Sequence, residues 1–86
     1  MQKEIIDGIS FIKSSGYRYK IIKSINSELK MPSEISKETN IRLNHVSACL
    51  KDLKEKGLIE CLNNDTKKGK LYRLTKLGKD VISKLS

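Results

Sequence analysis

The stretch PSEISKETNIRLNHVSACLKDL, residues 32–53, constrains this chain more than any other. It reads as two helices joined by a tight turn. The first, residues 32–39, is short and carries one inward residue, Ile35. The second, from about residue 43 to 56, puts Val46, Leu50 and Leu53 at the i, i+4, i+7 spacing of one helical stripe. Cys49 lies at the edge of that stripe. Between the helices stands Asn40, which tolerates the left-handed backbone of a sharp turn second only to glycine. Ile41 then plugs the corner, and Ser36 is small where the two helices cross.

The bulk properties set the surroundings. Eighty-six residues suggest one domain, and a chain this size buries only about 60% of its unfolded surface. Lys plus Arg outnumber Asp plus Glu by 18 to 10, a formal charge of +8, with a pI near 9.6. A compact basic domain points to a polyanion, nucleic acid first among them, while a Lys-rich solvated surface is the plainer reading of the same charge. No stretch approaches the roughly 18 to 20 apolar residues of a membrane span. The N-terminus lacks the layout of a signal peptide. Two cysteines make no disulfide framework, so a reduced, cytoplasmic protein is expected.

Residues 3–14 place Ile5, Ile9 and Ile12 on one helical stripe with Ile6 beside it, and Gly8 weakens that helix by about 1 kcal/mol relative to Ala. The stripe needs a cover, either the C-terminal helix or a second subunit. Residues 14–16 are a stop and turn. A second helix follows over about 17–27, with Ile21, Ile22 and Ile25 inward and Leu29 continuing the apolar set. Tyr17, Arg18, Tyr19 and Lys20 crowd its first turn, where they either touch a phosphate backbone or cover the core. Residues 30–32 are a short extended link. Pro32 fits the first helical position, and Glu34 is placed to reach back to the N–H of Met31.

Gly57 is a C′ residue closing the second helix of the pair. Residues 58–62 and 70–74 read as two strands joined by a polar, basic tip, a hairpin with Leu71 and Arg73 on one face and Tyr72 and Leu74 on the other. Thr75 caps a last helix carrying Leu77, Val81 and Leu85 at i, i+4, i+8, with Ile82 beside them.

The ordered stretches EISKETNI, VSACLKDLKEKGLIE and YRLTKLGKDV resemble the winged-helix regulators of bacteria and archaea, in the style of the MarR and ArsR families. The resemblance covers residues 17–85. It implies a mainly α fold with a small β-hairpin, a winged helix-turn-helix with an extra N-terminal helix over residues 1–16. Residues 17–62 form its helical core, with the helix-turn-helix at 32–56, the wing at 58–74 and a C-terminal helix at 75–86. Relatives usually carry Ala, Gly and Val where Ser36, Asn40 and Val46 stand.

The expected function is sequence-specific binding of double-stranded DNA by a transcription regulator, a repressor or activator. A helix fits the major groove, whose base edges carry a distinguishable donor and acceptor code. The face opposite Val46, Leu50 and Leu53 carries Asn44, Ala48, Lys51 and Glu55, flanked by His45 and Ser47. Asn44 suits an adenine edge and Ala48 a thymine methyl. Arg42 stands where relatives carry a Ser or Thr cap, and Ala48 where many carry Arg. The base-reading set is therefore Arg42, Leu43, Asn44, His45, Ser47 and Ala48. The phosphate set is Arg18, Ser33, Lys51, Lys67, Lys68, Lys70 and Arg73, contacts that position without reading sequence. The plainer reading of each residue is a solvated surface.

A homodimer through the terminal helices is expected, and no cofactor. One histidine excludes a His-based metal cluster. His45 and Cys49 share the i, i+4 spacing of two ligands, but a buried Cys usually packs as a small hydrophobe. No catalytic set stands out, so the chain does not read as an enzyme. The competing reading is a winged-helix adaptor that binds protein within transcription or replication machinery. The sequence names no effector.

Overall fold

The periodic stripes of the sequence close around one apolar centre. The computed structural model describes residues 3–26, 28–63 and 69–85. Its elements are α1 (Lys3–Lys13), α2 (Gly16–Ile25), α3 (Pro32–Thr39), α4 (Leu43–Glu55), β1 (Ile59–Cys61), β2 (Tyr72–Leu74) and α5 (Lys76–Leu85). Ile12, Ile21, Ile22, Ile25, Ile35, Val46, Leu50, Leu53, Leu58, Ile59 and Val81 are almost wholly buried. Full burial of such a side chain is worth about 1.5–3 kcal/mol, which makes this cluster the main source of stability. The result is the expected mainly α architecture with a small hairpin and an added N-terminal helix.

The corner between α3 and α4 forms as its residues dictate. Asn40 adopts φ 60° and ψ 29°, the left-handed region. Ile41 is buried beneath it, and the Ser36 hydroxyl donates to the Ile41 carbonyl oxygen, closing the turn. Glu34 accepts from the Met31 N–H at 2.9 Å. Arg42 precedes α4 without a side-chain cap, as a residue lacking a short side-chain oxygen must. Gly57 ends that helix at φ 77°. The Thr75 hydroxyl accepts from the Gly78 N–H at 3.1 Å and donates to the Gly57 carbonyl at 2.6 Å, joining the end of α4 to the start of α5.

Of the two covers open to α1, α5 supplies one. A Cβ on Gly8 would stand 2.7 Å from Val81 Cγ2. The glycine expected only to weaken α1 is therefore the point where the two helices come close. Ile5 and Ile9 are half-buried beside this contact. Ile6 is 49% exposed, outside the stripe it was expected to flank.

Details around α2 and the link after it depart from the sequence reading. Helix α2 begins at Gly16 because Ser15 serves as its N-cap, its hydroxyl accepting from the Arg18 N–H at 3.5 Å. Leu29 does not continue the apolar set and is 47% exposed. The reason lies next to it. Lys30 pairs with Tyr72 in both directions, its N–H donating to the Tyr72 carbonyl at 3.0 Å and its carbonyl accepting from the Tyr72 N–H at 2.9 Å. Neighbours in extended chain point to opposite faces, so an inward Lys30 turns Leu29 outward. Within the expected link at 30–32, Lys30 thus forms a one-residue bridge alongside the hairpin.

The hairpin is antiparallel, pairing Ile59 with Leu74, Glu60 with Arg73 and Cys61 with Tyr72. Its strands are shorter than expected because side-chain bonds take over near the tip. Asn63 Oδ1 accepts from the Leu71 N–H at 2.8 Å, and Asn63 Nδ2 donates to the Gly69 carbonyl at 3.0 Å. Among the described residues no helix is long and apolar enough to cross a membrane.

Candidate nucleic-acid interface

Helix α4 is amphipathic by sequence, and this fixes what it offers to solvent. Val46, Leu50 and Leu53 anchor one side in the core. The other side exposes Leu43, Asn44, His45, Ser47, Ala48 and Lys51, with Leu43 half exposed at 50%. The exposed face is a ridge with a depression on either side.

On the hairpin side runs a groove of about 420 Å³ lined by Met31, Pro32, Ser33, Leu43, Ser47, Gly69, Lys70 and Tyr72. Four residues singled out from the sequence therefore meet here: Ser33, Leu43, Ser47 and Lys70. They do so because three elements converge. Helix α3 begins at Pro32, α4 at Leu43, and the second strand returns past Lys70. On the turn side lies a recess of about 470 Å³ lined by Tyr17, Lys20, Thr39, Asn40, Ile41, Arg42 and His45. Two further candidates, Arg42 and His45, meet there. The Tyr17 and His45 rings approach to 5.6 Å between centroids.

Other candidates are engaged elsewhere. The Arg18 guanidinium donates to the Phe11 carbonyl at 3.1 Å and to Ser14 Oγ at 2.8 Å. It also lies 3.9 Å from the centre of the Phe11 ring and 3.8 Å from an Asp52 carboxylate oxygen. It joins α1, α2 and α4 rather than standing free. Arg73 donates to the Glu60 carboxylate at 2.6 Å across the hairpin. It sits among Glu60, Thr75, Lys76 and Lys79, on the sheet face opposite Tyr72. Lys67 and Lys68 lie outside the described residues.

A further group was not legible as functional in the sequence. Lys30 is only 8% exposed. Its Nζ bonds both carboxylate oxygens of Glu38 and lies 3.6 Å from Glu28. Ser24 Oγ donates to the same Glu38 carboxylate at 2.9 Å. The bond to Lys30 and that from Ser24 hold the Glu38 carboxyl below its ordinary range. The bond to Glu38 raises Lys30 in turn. Through this pair and the Lys30–Tyr72 backbone bonds, α2, α3 and the hairpin are held together behind the groove. Lys30 and Glu38 stand on either side of Pro32 with no periodic pattern between them, so no sequence signal marks them as partners.

The two cysteines offer little chemistry. Burial pushes the Cys49 thiol above its ordinary value, against a reactive thiolate. Cys61 is buried, its thiol donating to Asn63 Oδ1 at 3.6 Å. Among the described residues no three His, Cys, Asp or Glu side chains gather as a metal cluster would require.

Comparison with known proteins agrees with this architecture. The family model described as a winged helix-turn-helix matches residues 17–86. No curated protein matches. Among solved structures, TubR bound to 24 bp of tubC, from Bacillus thuringiensis serovar israelensis pBtoxis, superposes with a TM-score of 0.83. It is 13% identical and the match covers 99% of this chain and 95% of that one, a likeness of fold. A possible transcriptional regulatory protein from Mycobacterium bovis (fragment 1–100) superposes with a TM-score of 0.67 at 25% identity, covering 92% of this chain and 81% of that one.

Proposed function

The chain belongs to the winged helix-turn-helix family, and on that premise we propose that it is a sequence-specific double-stranded DNA-binding transcription regulator acting as a homodimer. The observation that carries this reading is the exposed ridge of α4. It presents Asn44, Ser47, Ala48 and Lys51 to solvent, beside a hairpin whose near strand brings Lys70 alongside. A helix of about 10–12 Å diameter fits a major groove about 12 Å wide. In that position Asn44 meets base edges and the wing lysines meet phosphate. The DNA-bound state of TubR supports the same use of a similar fold.

The dimer rests on the terminal helices. Helices α1 and α5 cover each other, yet Ile6 remains half exposed beside the partly buried Ile5 and Ile9. Two subunits so joined would place recognition helices in successive major grooves, with half-sites about one helical turn apart. Sedimentation that gives a monomer at tens of micromolar would remove this part of the reading.

A second reading, a protein-binding adaptor, is favoured by the half-exposed Leu43 and by Ala48 on the ridge. Fluorescence anisotropy on labelled duplexes decides between them. The probes are the chain's own upstream region and a scrambled control, each at several salt concentrations. A regulator binds the first by several kcal/mol more tightly, with a steep salt slope. No binding to any duplex at low salt leaves the adaptor.

A further inference from the structure

An inserted helix meets two backbones, not one. A helix about 10–12 Å across nearly fills a groove about 12 Å wide, so the strands bordering that groove lie against both its flanks. The hairpin accounts for one flank of α4. The other flank is the recess on the turn side, where Tyr17, Lys20, Arg42 and His45 converge beside Asn40.

Its chemistry is uniform. No carboxylate lines it. The neighbouring depression toward the end of α2 also contains Lys20, but Glu28 and Glu38 line that one. Lys20 and Arg42 are exposed, and neither side chain makes a hydrogen bond or ion pair among the described residues. Two uncommitted cations, a phenol and an imidazole around one concave patch are a donor set for an oxyanion. Tyr17 is positioned by its ring contact with His45, so the patch includes a side chain of α4 itself.

We propose that this recess holds a backbone phosphate of the DNA strand opposite the one met by the wing, with Lys20 as its principal charge. The inference rests on the DNA-binding reading and extends it, making the grip two-sided. The recess carries affinity without sequence preference, since a phosphodiester is the same at every step.

The test is the salt dependence of binding for Lys20→Ala and Tyr17→Phe, with Lys84→Ala on α5 as a control for net charge. The probes are a labelled duplex of the preferred sequence and one of random sequence. Removing Lys20 should weaken binding equally on both and reduce the log–log salt slope by about one. Tyr17→Phe, which keeps the ring contact with His45, should weaken both equally with little change of slope. Lys84→Ala should leave the slope as in the wild type. A Lys20→Ala slope equal to the wild-type slope overturns the inference while leaving DNA binding intact. A wild-type protein that binds no duplex overturns the reading beneath it, and the wild-type curve tells the two failures apart.

Discussion

Gly78 approaches Leu58 so closely that a Cβ placed on it would sit 2.0 Å from the Leu58 carbonyl oxygen. That oxygen also accepts from the Thr75 N–H at 3.1 Å, so it is pinned in place. Helix propensity alone says that Gly78→Ala stabilises α5 by about 1 kcal/mol. The contact says the reverse, because backbone must move to admit a methyl group. We expect Gly78→Ala to destabilise by about 1–3 kcal/mol, the usual cost of overpacking. Urea denaturation measures it, and a stabilised variant would show that α5 shifts freely.

Arg18 was a phosphate candidate by position and is a fastener by geometry. Its guanidinium bonds Phe11 and Ser14 and packs on the Phe11 ring. Arg18→Ala should cost about 1–2 kcal/mol of stability, from the ring contact and the charged hydrogen bonds. The salt slope of DNA binding should stay unchanged. Melting and anisotropy on the same variant check both halves, and a slope reduced by about one would return Arg18 to the phosphate set.

The Lys30–Glu38 pair makes stability depend on pH in a stated direction. The Glu38 carboxyl is held below its ordinary 4.5. Its contribution is therefore complete above that value and is lost as pH falls through the lower, folded-state pKa. Lys30 is raised above its ordinary 10.5, so its contribution is complete below that value and fades as pH rises through the higher one. Glu38→Gln should thus melt earlier than the wild type at neutral pH. The gap should narrow in acid as the wild-type carboxyl protonates. Melting curves across the acid range measure this, and a gap that stays constant would mean that the pair contributes nothing through charge.

Base reading and backbone holding should separate by mutation. Asn44→Ala should cost about 1–3 kcal/mol on the preferred duplex and almost nothing on a random one.

Replacing Lys67, Lys68 and Lys70 together by Ala should weaken both duplexes alike and lower the salt slope by about two to three. Anisotropy titrations read both variants. An adaptor would keep its protein partner despite the triple change.

The fold was legible where a residue's own chemistry fixes local geometry. Asn40 announces a left-handed corner, Val46, Leu50 and Leu53 a buried stripe, Gly57 a helix end and Thr75 a cap. The candidate interface was legible along α4, because a helix with one buried face has only one face to offer. What the chain hides are relationships between segments. Lys30 looks like part of a short extended link until Tyr72 pairs with its backbone and Glu38 with its side chain. Leu29 looks apolar and inward until that same pairing turns it out. Gly8 looks like a weakness until Val81 arrives beside it. The turn-side recess is of this kind too, since Lys20 and Arg42 meet only after α2 and α4 have packed.

The contact of α1 with α5 has a consequence for how the protein comes into being. Gly8 lies in α1 and Val81 in α5, with every other element of the described fold between them in sequence, so this contact cannot form until distant segments have come together. Until α5 docks, the apolar side of α1 lacks the surface that covers it in the folded domain. Transiently uncovered apolar faces of this sort favour self-association. An α1 without α5 therefore leaves an apolar face open, and α5 acts as the bolt that shuts this side of the core.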